Sequence, residues 1–230
     1  EAITLCSVRA FVSGSEDAFS HWFWRHPPLV ALLQSLLAPL VGGFAERTEL
    51  LSIALAAVNV VLLFLLCRRL FGRATALWSC FLLAVMPGAI FFDVWIKPDH
   101  AASTFGLLSL LFLTSRHMLP AGVALGAAFL AKETAIFYAM AVFFLWISGA
   151  AGKRRIRDLA AIAIVPALTV GCWYLFGLQA LLAHFRFGIR AADSWALPWH
   201  YYIDLLPVML GATGLVLAGA GTLFSLTGTA

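Results

Sequence analysis

Eight apolar runs, at about 29–45, 50–67, 74–92, 101–115, 119–131, 133–150, 158–177 and 201–224, follow one another with only short polar breaks between them. A chain of 230 residues has too little polar surface left to cover that much apolar length in water: 63% of it is hydrophobic, 11% is charged and its mean hydropathy is +0.96. Ordinary globular chains carry about a quarter charged residues. The pattern excludes a water-soluble domain and predicts a polytopic membrane protein. Strict alternation of apolar and polar residues is absent, and hydrocarbon tolerates no unpaired backbone, so the spans must be helical. The predicted fold is an all-α transmembrane helical bundle.

Arg and Lys fix the expected orientation, because cytoplasmic loops carry them in excess. Arg68, Arg69 and Arg73 follow the second run, Arg116 the fourth, and Lys153, Arg154, Arg155 and Arg157 the sixth. The three clusters share the cytoplasmic side if every run from residue 50 onward crosses once. The loops at 93–100, around 132 and at 178–200 then lie outside, together with residues 1–28, whose Glu16, Asp17, Trp22 and Trp24 suit an outer interface. A crossing at 29–45 would invert everything after it. That run, short and containing Pro39, Gly42 and Gly43, is therefore expected to be a juxtamembrane or re-entrant helix, leaving about seven crossings. The net charge of +4 sits in these loop clusters and does not point to nucleic acid. Cys6, Cys67, Cys80 and Cys172 have no metal-ligand or disulfide spacing. Residues 1–28 lack a signal-peptide pattern, and the chain reads as one membrane-embedded domain over 1–230, cut from a longer protein at both ends.

Within this frame a few charged residues stand where charge is expensive, and ionisable groups at membrane depth are usually functional. Asp99 and His100 close the segment Trp95-Ile96-Lys97-Pro98-Asp99-His100 between two apolar runs. Pro98 marks a helix start there, so Asp99 serves equally as an N-cap, and the two roles are compatible. Lys132 and Glu133 interrupt the stretch from Pro120 to Gly149. The chain either breaks there into two short helices or buries a Lys-Glu ion pair; the functional alternative is a cation on an outer cavity wall, able to hold a phosphate. Gly122 and Gly126 have the small-xxx-small spacing of close helix packing. Trp24, Arg25, His26, Pro27 and Pro28 end an aromatic stretch and open a helix, and Trp195, Trp199, Tyr201 and Tyr202 form a second aromatic belt. Arg186 and Arg190 upstream suit lipid headgroups as well as substrate.

The order of these elements resembles the membrane-embedded GT-C glycosyltransferases, in the branch that holds the dolichyl-phosphate-mannose protein mannosyltransferases, the bacterial aminoarabinose transferases and the RgtA/B/C/D-like enzymes. Glu1, Arg9 and Gly14 fit the family's acidic-Arg-Gly order after its first membrane helix. His26, Pro27, Pro28 and Leu29 match its Lys/His-Pro-Pro-Leu element, and Asp99 its second acidic residue. Gly126, Leu130 and Lys132 match a Gly-x-x-x-Leu-x-Lys element, and Trp199, Tyr201 and Tyr202 an aromatic-Tyr-Tyr run. The family's first acidic residue, the Asp that acts as general base, would stand just before Glu1, so this stretch alone is expected not to turn over.

The resemblance implies a glycosyltransferase that moves a sugar from a polyprenyl-phosphate donor to a glycan, lipid or protein acceptor, in a bacterial inner membrane with its site facing the periplasm or exterior. It assigns Glu1 and Asp99 to catalysis, Lys132, Arg25 and His26 to the donor phosphate, and His100, Tyr201 and Tyr202 to the substrate cavity. A divalent cation between Glu1 and Asp99 stays open, since hard cations favour carboxylates; no other cofactor is implied. Two further readings belong to other classes: a secondary transporter or flippase, which predicts inverted repeats that the sequence does not display, and a non-catalytic membrane scaffold.

Overall fold

The structure, a computed structural model, describes residues 29–37, 44–86, 99–149 and 156–176. Within them the chain is helical: α1 (Leu29–Leu37), α2 (Phe44–Phe71), α3 (Arg73–Val85), α4 (Asp99–Thr114), α5 (Met118–Ala131), a 3-10 turn (Glu133–Ala135), α6 (Ile136–Ile147) and α7 (Ile156–Phe176). One described helical segment, Glu49–Phe71 of α2, is long and apolar enough to cross a bilayer by itself; α3, α5 and α6 are shorter apolar helices. α1 has nine residues, about 13 Å at 1.5 Å per residue, against a hydrocarbon core of about 30 Å. Of the apolar run expected over 29–45, residues 29–37 form α1 and residues 44 and 45 belong to α2, while residues 38–43 lie outside the described residues.

The central element is α4, which packs against α2, α5 and α6. Its buried residues are mostly small, among them Ala101, Ala102, Thr104, Gly106 and Ser109, and small residues let helix backbones approach where no water drives association. The turn from α4 to α5 is a Schellman motif: the His117 N–H donates to the Phe112 carbonyl at 2.9 Å and the Arg116 N–H to the Leu113 carbonyl at 2.9 Å. Arg116 takes the left-handed position normally given to glycine, with φ 62°. Farther up the pair, the fully buried Ser109 hydroxyl donates to the Ala121 carbonyl at 2.8 Å. A mixed cluster of Leu66, Leu110, Leu113, Ala121, Leu125, Val142 and Ile162 fills the space among α2, α4, α5, α6 and α7.

α7 lies parallel to α5, with Ile162 beside Gly122 and Thr169 beside Gly126. Pro166 inside α7 has no N–H, so the carbonyl of Ile162 four residues earlier lacks its helical donor. That carbonyl faces Gly122, where an added Cβ would stand 2.7 Å from its oxygen. Glycine at 122 therefore lets a proline-interrupted helix seat against α5, which gives the small-xxx-small spacing its cause. At the other crossing the Tyr138 ring of α6 lies over Gly106, again with no room for a side chain.

The outward surface carries Val58, Val61, Trp78, Phe81, Phe144 and Leu168, all exposed. A patchwork of this kind is unstable in water and suits hydrocarbon. Several arginines gather at one end: the Arg69 guanidinium donates to the Ser115 hydroxyl at 2.8 Å, next to Arg116, and Arg157 lies before the Ile162–Gly122 crossing, toward the same end.

Gly122→Val is expected to destabilise the protein by about 1–3 kcal/mol, the usual cost of overpacking. Gly171→Ala, which meets nothing within 4 Å, should be neutral or stabilising by up to about 1 kcal/mol. Thermal unfolding in detergent compares the two; equal effects would contradict the packing described for α5 and α7.

Candidate functional site

The end of the bundle opposite Arg69, Arg116 and Arg157 is formed where α4 begins and α5 stops. Lys132 leaves α5 in an extended conformation, φ −161° and ψ 145°, with its N–H still bonded to the Ala128 carbonyl at 3.0 Å. The 3-10 turn Glu133–Ala135 then reverses the chain into α6. The interruption at Lys132 thus breaks the stretch into two helices, the first of the two outcomes expected from sequence. The partner of its ammonium lies far off in sequence: Lys132 Nζ donates to Asp99 Oδ1 at 2.7 Å and to Oδ2 at 2.8 Å, a fork that engages both carboxylate oxygens.

The pair is half open to the outside, with Lys132 27% and Asp99 42% exposed at the side chain. Exposed pairs are worth roughly 0–1 kcal/mol, against the 3–5 kcal/mol lost when a fully buried pair is broken. The cost of parting these two groups therefore lies nearer the lower figure. A competing anion or hydroxyl can exchange into the bridge without unfolding anything.

Beneath the pair lies a tightly closed floor of small residues: Ala101, Ala102 and Ala131 are essentially fully buried and pack with Val30 of α1. Ala135 is buried beside them in sequence, in the 3-10 turn. α4 is pinned to α2 at this level by a buried polar network. The Asn59 amide donates to the His100 carbonyl at 3.2 Å, while the Thr104 hydroxyl lies 2.7 Å from Asn59 Oδ1 and 2.8 Å from the same carbonyl. That single hydroxyl proton is shared between two acceptors, one across helices and one within α4. The network holds the first turn of α4, and hence Asp99, at a fixed height.

Of the residues singled out in the sequence, the structure brings Asp99 and Lys132 into direct contact and places His100 beside them, 9% exposed and largely within the bundle. Glu1, Arg25, His26, Tyr201 and Tyr202 lie outside the described residues, as do the segments 1–28 and 178–200. Among the described residues no group of three or more His, Cys, Asp or Glu side chains converges as a metal site. Both Asp99 oxygens face an ammonium. Asn59 and Thr104 escaped the sequence reading, although an Asn in the middle of a 23-residue apolar span is itself a signal, since such a group must find a partner.

A family model described as dolichyl-phosphate-mannose-protein mannosyltransferase matches residues 25–175, more than half of the chain. The chain belongs to this family of membrane glycosyltransferases. The matched span contains Arg25, His26, Asp99 and Lys132 and leaves out Glu1, Tyr201 and Tyr202. No curated protein matches the chain, and no solved structure does.

Asn59→Leu should cost about 0.6–1.7 kcal/mol, the range of interhelical hydrogen bonds inside membranes, read as a lowered unfolding midpoint. Thr104→Val should fall in the same range, and the double variant should cost less than the sum, because both substitutions remove one bond in common. Strict additivity would contradict a coupled network.

Proposed function

We propose that this chain forms the membrane part of a GT-C type glycosyltransferase that moves a sugar from a polyprenyl-phosphate donor to an acceptor hydroxyl at the outer membrane face. The observation that carries the reading is the Asp99–Lys132 pair, a half-open acid and base at the end of the bundle away from the arginine clusters. By the positive-inside rule the arginine end is cytoplasmic, which directs the pair outward. We take about seven crossings for the chain, with α1 as the non-crossing helix, and a bacterial plasma membrane as its setting.

The chemistry follows from the residue types. The donor has an apolar tail that stays in lipid and a phosphate that sits at the interface, where Lys132 meets it as a point charge. As the phosphate takes up the ammonium, Asp99 is released to orient the acceptor hydroxyl. The hydroxyl oxygen then attacks the anomeric carbon, the bond from that carbon to the phosphate oxygen breaks with its electron pair, and the hydroxyl proton passes to a carboxylate. Lys132 stabilises the charge that grows on the departing phosphate. Arg25 and His26 are assigned to the same phosphate, Glu1 to support of the general base, and His100, Tyr201 and Tyr202 to the cavity wall. A divalent cation between Glu1 and Asp99 would need Asp99 freed of Lys132 first. The acceptor is a glycan, lipid or protein hydroxyl.

In the protein extended upstream through the segment expected to carry the general base, reconstituted in liposomes loaded with dolichyl-phosphate mannose, Lys132→Ala is expected to raise the KM for the donor by roughly tenfold to a hundredfold, in line with a charge-assisted phosphate contact. Asp99→Asn is expected to lower kcat by about 10²–10⁴ with little change in KM. Mannose transfer unaffected by either substitution would sink the assignment.

Sidedness has its own check. A cysteine placed at Arg116 should react with a membrane-impermeant maleimide only from the cytoplasmic side, and one placed at Asp99 only from outside. Labelling of both from one side would refute the topology.

A further inference from the structure

Gln34 occupies a position that neither the packing of the bundle nor the proposed phosphate chemistry explains. It is 3% exposed, and both its Nε2 and its Oε1 are buried without a hydrogen-bond partner. It lies four residues after Val30 on α1, on the same face of that helix. Val30 packs against Ala101, Ala102 and Ala131, the floor directly under Asp99 and Lys132. α1 itself is seated on α2 and α5. The amide is therefore buried one helical turn, about 5.4 Å, along α1 from the residue that packs under the charged pair.

A leucine or methionine would fill this place with no loss of hydrogen bonding. An amide with both polar atoms dry forfeits its hydration and receives nothing back, and native proteins hold few such groups without a reason. The chemistry of the side chain narrows the reason. A carboxamide donates two hydrogen bonds and accepts at its oxygen but carries no charge. Of the three parts of a polyprenyl-phosphate sugar, the tail asks for an apolar wall and the phosphate for a cation, which Lys132 supplies. The sugar, a neutral ring of hydroxyls that both donate and accept, is the part that matches an uncharged amide.

We propose that Gln34 is a specificity-determining residue that hydrogen-bonds a hydroxyl of the transferred sugar, so that α1 reads the headgroup while Lys132 holds the phosphate. This rests on the polyprenyl-phosphate reading given above. A buried site built to bond a hydroxyl also rejects ligands that lack one, because they leave the amide unpaired again.

The test compares two lipids, dolichyl-phosphate mannose and dolichyl phosphate without sugar, binding to the whole protein in nanodiscs. Wild-type protein is expected to prefer the mannosyl lipid. Gln34→Met, close in shape and apolar, should reduce that preference roughly tenfold, the scale of one or two neutral hydrogen bonds. It should leave dolichyl phosphate affinity unchanged and the unfolding midpoint equal or higher. Lys132→Ala should weaken both lipids alike. A preference unchanged in Gln34→Met, or both affinities falling together, overturns the proposal while the phosphate reading stands. Wild-type protein that binds neither lipid overturns both. If Gln34→Met does not fold, Gln34→Asn, which withdraws the amide by one methylene, is expected to lower the preference; an undiminished preference there counts against the proposal.

Discussion

The antiparallel contact of α4 with α5 is the axis on which the other described helices are arranged. It is closed at three heights by three different kinds of interaction: the Schellman turn at Arg116, the buried Ser109–Ala121 bond, and the bridge from Lys132 to Asp99. The first two depend on local geometry and burial and are hard to disturb. The third is electrostatic, partly exposed and bidentate, so a charged ligand can compete for it. Small residues on α4 and α5 make the approach close enough for this, and α2, α6 and α7 then pack around the pair through Asn59, Tyr138 and the Gly122–Ile162 crossing.

Two demands meet at Asp99. Its backbone must start a helix, which the preceding proline favours, and its carboxylate must face a charge without being sealed away. The Asn59–Thr104–His100 network serves the first demand by holding the helix start against α2, so that the carboxylate does not have to stabilise it alone. This separation of roles leaves the carboxylate to the bridge with Lys132. The alanine floor beneath serves the second, because side chains that short cannot reach up to cover the pair.

Much of this was legible in the sequence. Apolar run length predicted the helices at 101–115 and 119–131 closely, since hydrocarbon leaves the backbone no other choice, whereas the run at 50–67 marks only the middle of a helix that spans Phe44–Phe71. The basic loops predicted which helix ends lie together, and Arg69 does meet Ser115 beside Arg116. The distant partner of Lys132 was not legible. Glu133 is its neighbour in sequence, whereas Asp99 becomes its neighbour only once the α4–α5 hairpin has formed, and charge counting along the chain carries no information about that. Asn59 and Gln34 were passed over for a related reason: a lone polar residue scarcely changes the hydropathy of the run around it, although its desolvation makes it the most informative residue in that run. The family model and the motif resemblance agree because they read overlapping residues, from the His26 element through Lys132.

On the proposed function, Asp99 and Lys132 are used individually by the reaction and do more than tie α4 to α5. Exchanging them, Asp99→Lys with Lys132→Asp, keeps an ion pair at the same place with the charges transposed. The account predicts an unfolding midpoint close to that of the wild type and mannose transfer from dolichyl-phosphate mannose as low as in the weaker single variant. Recovery of transfer in the exchanged protein would contradict it, because a pair that works in either order is a structural tie.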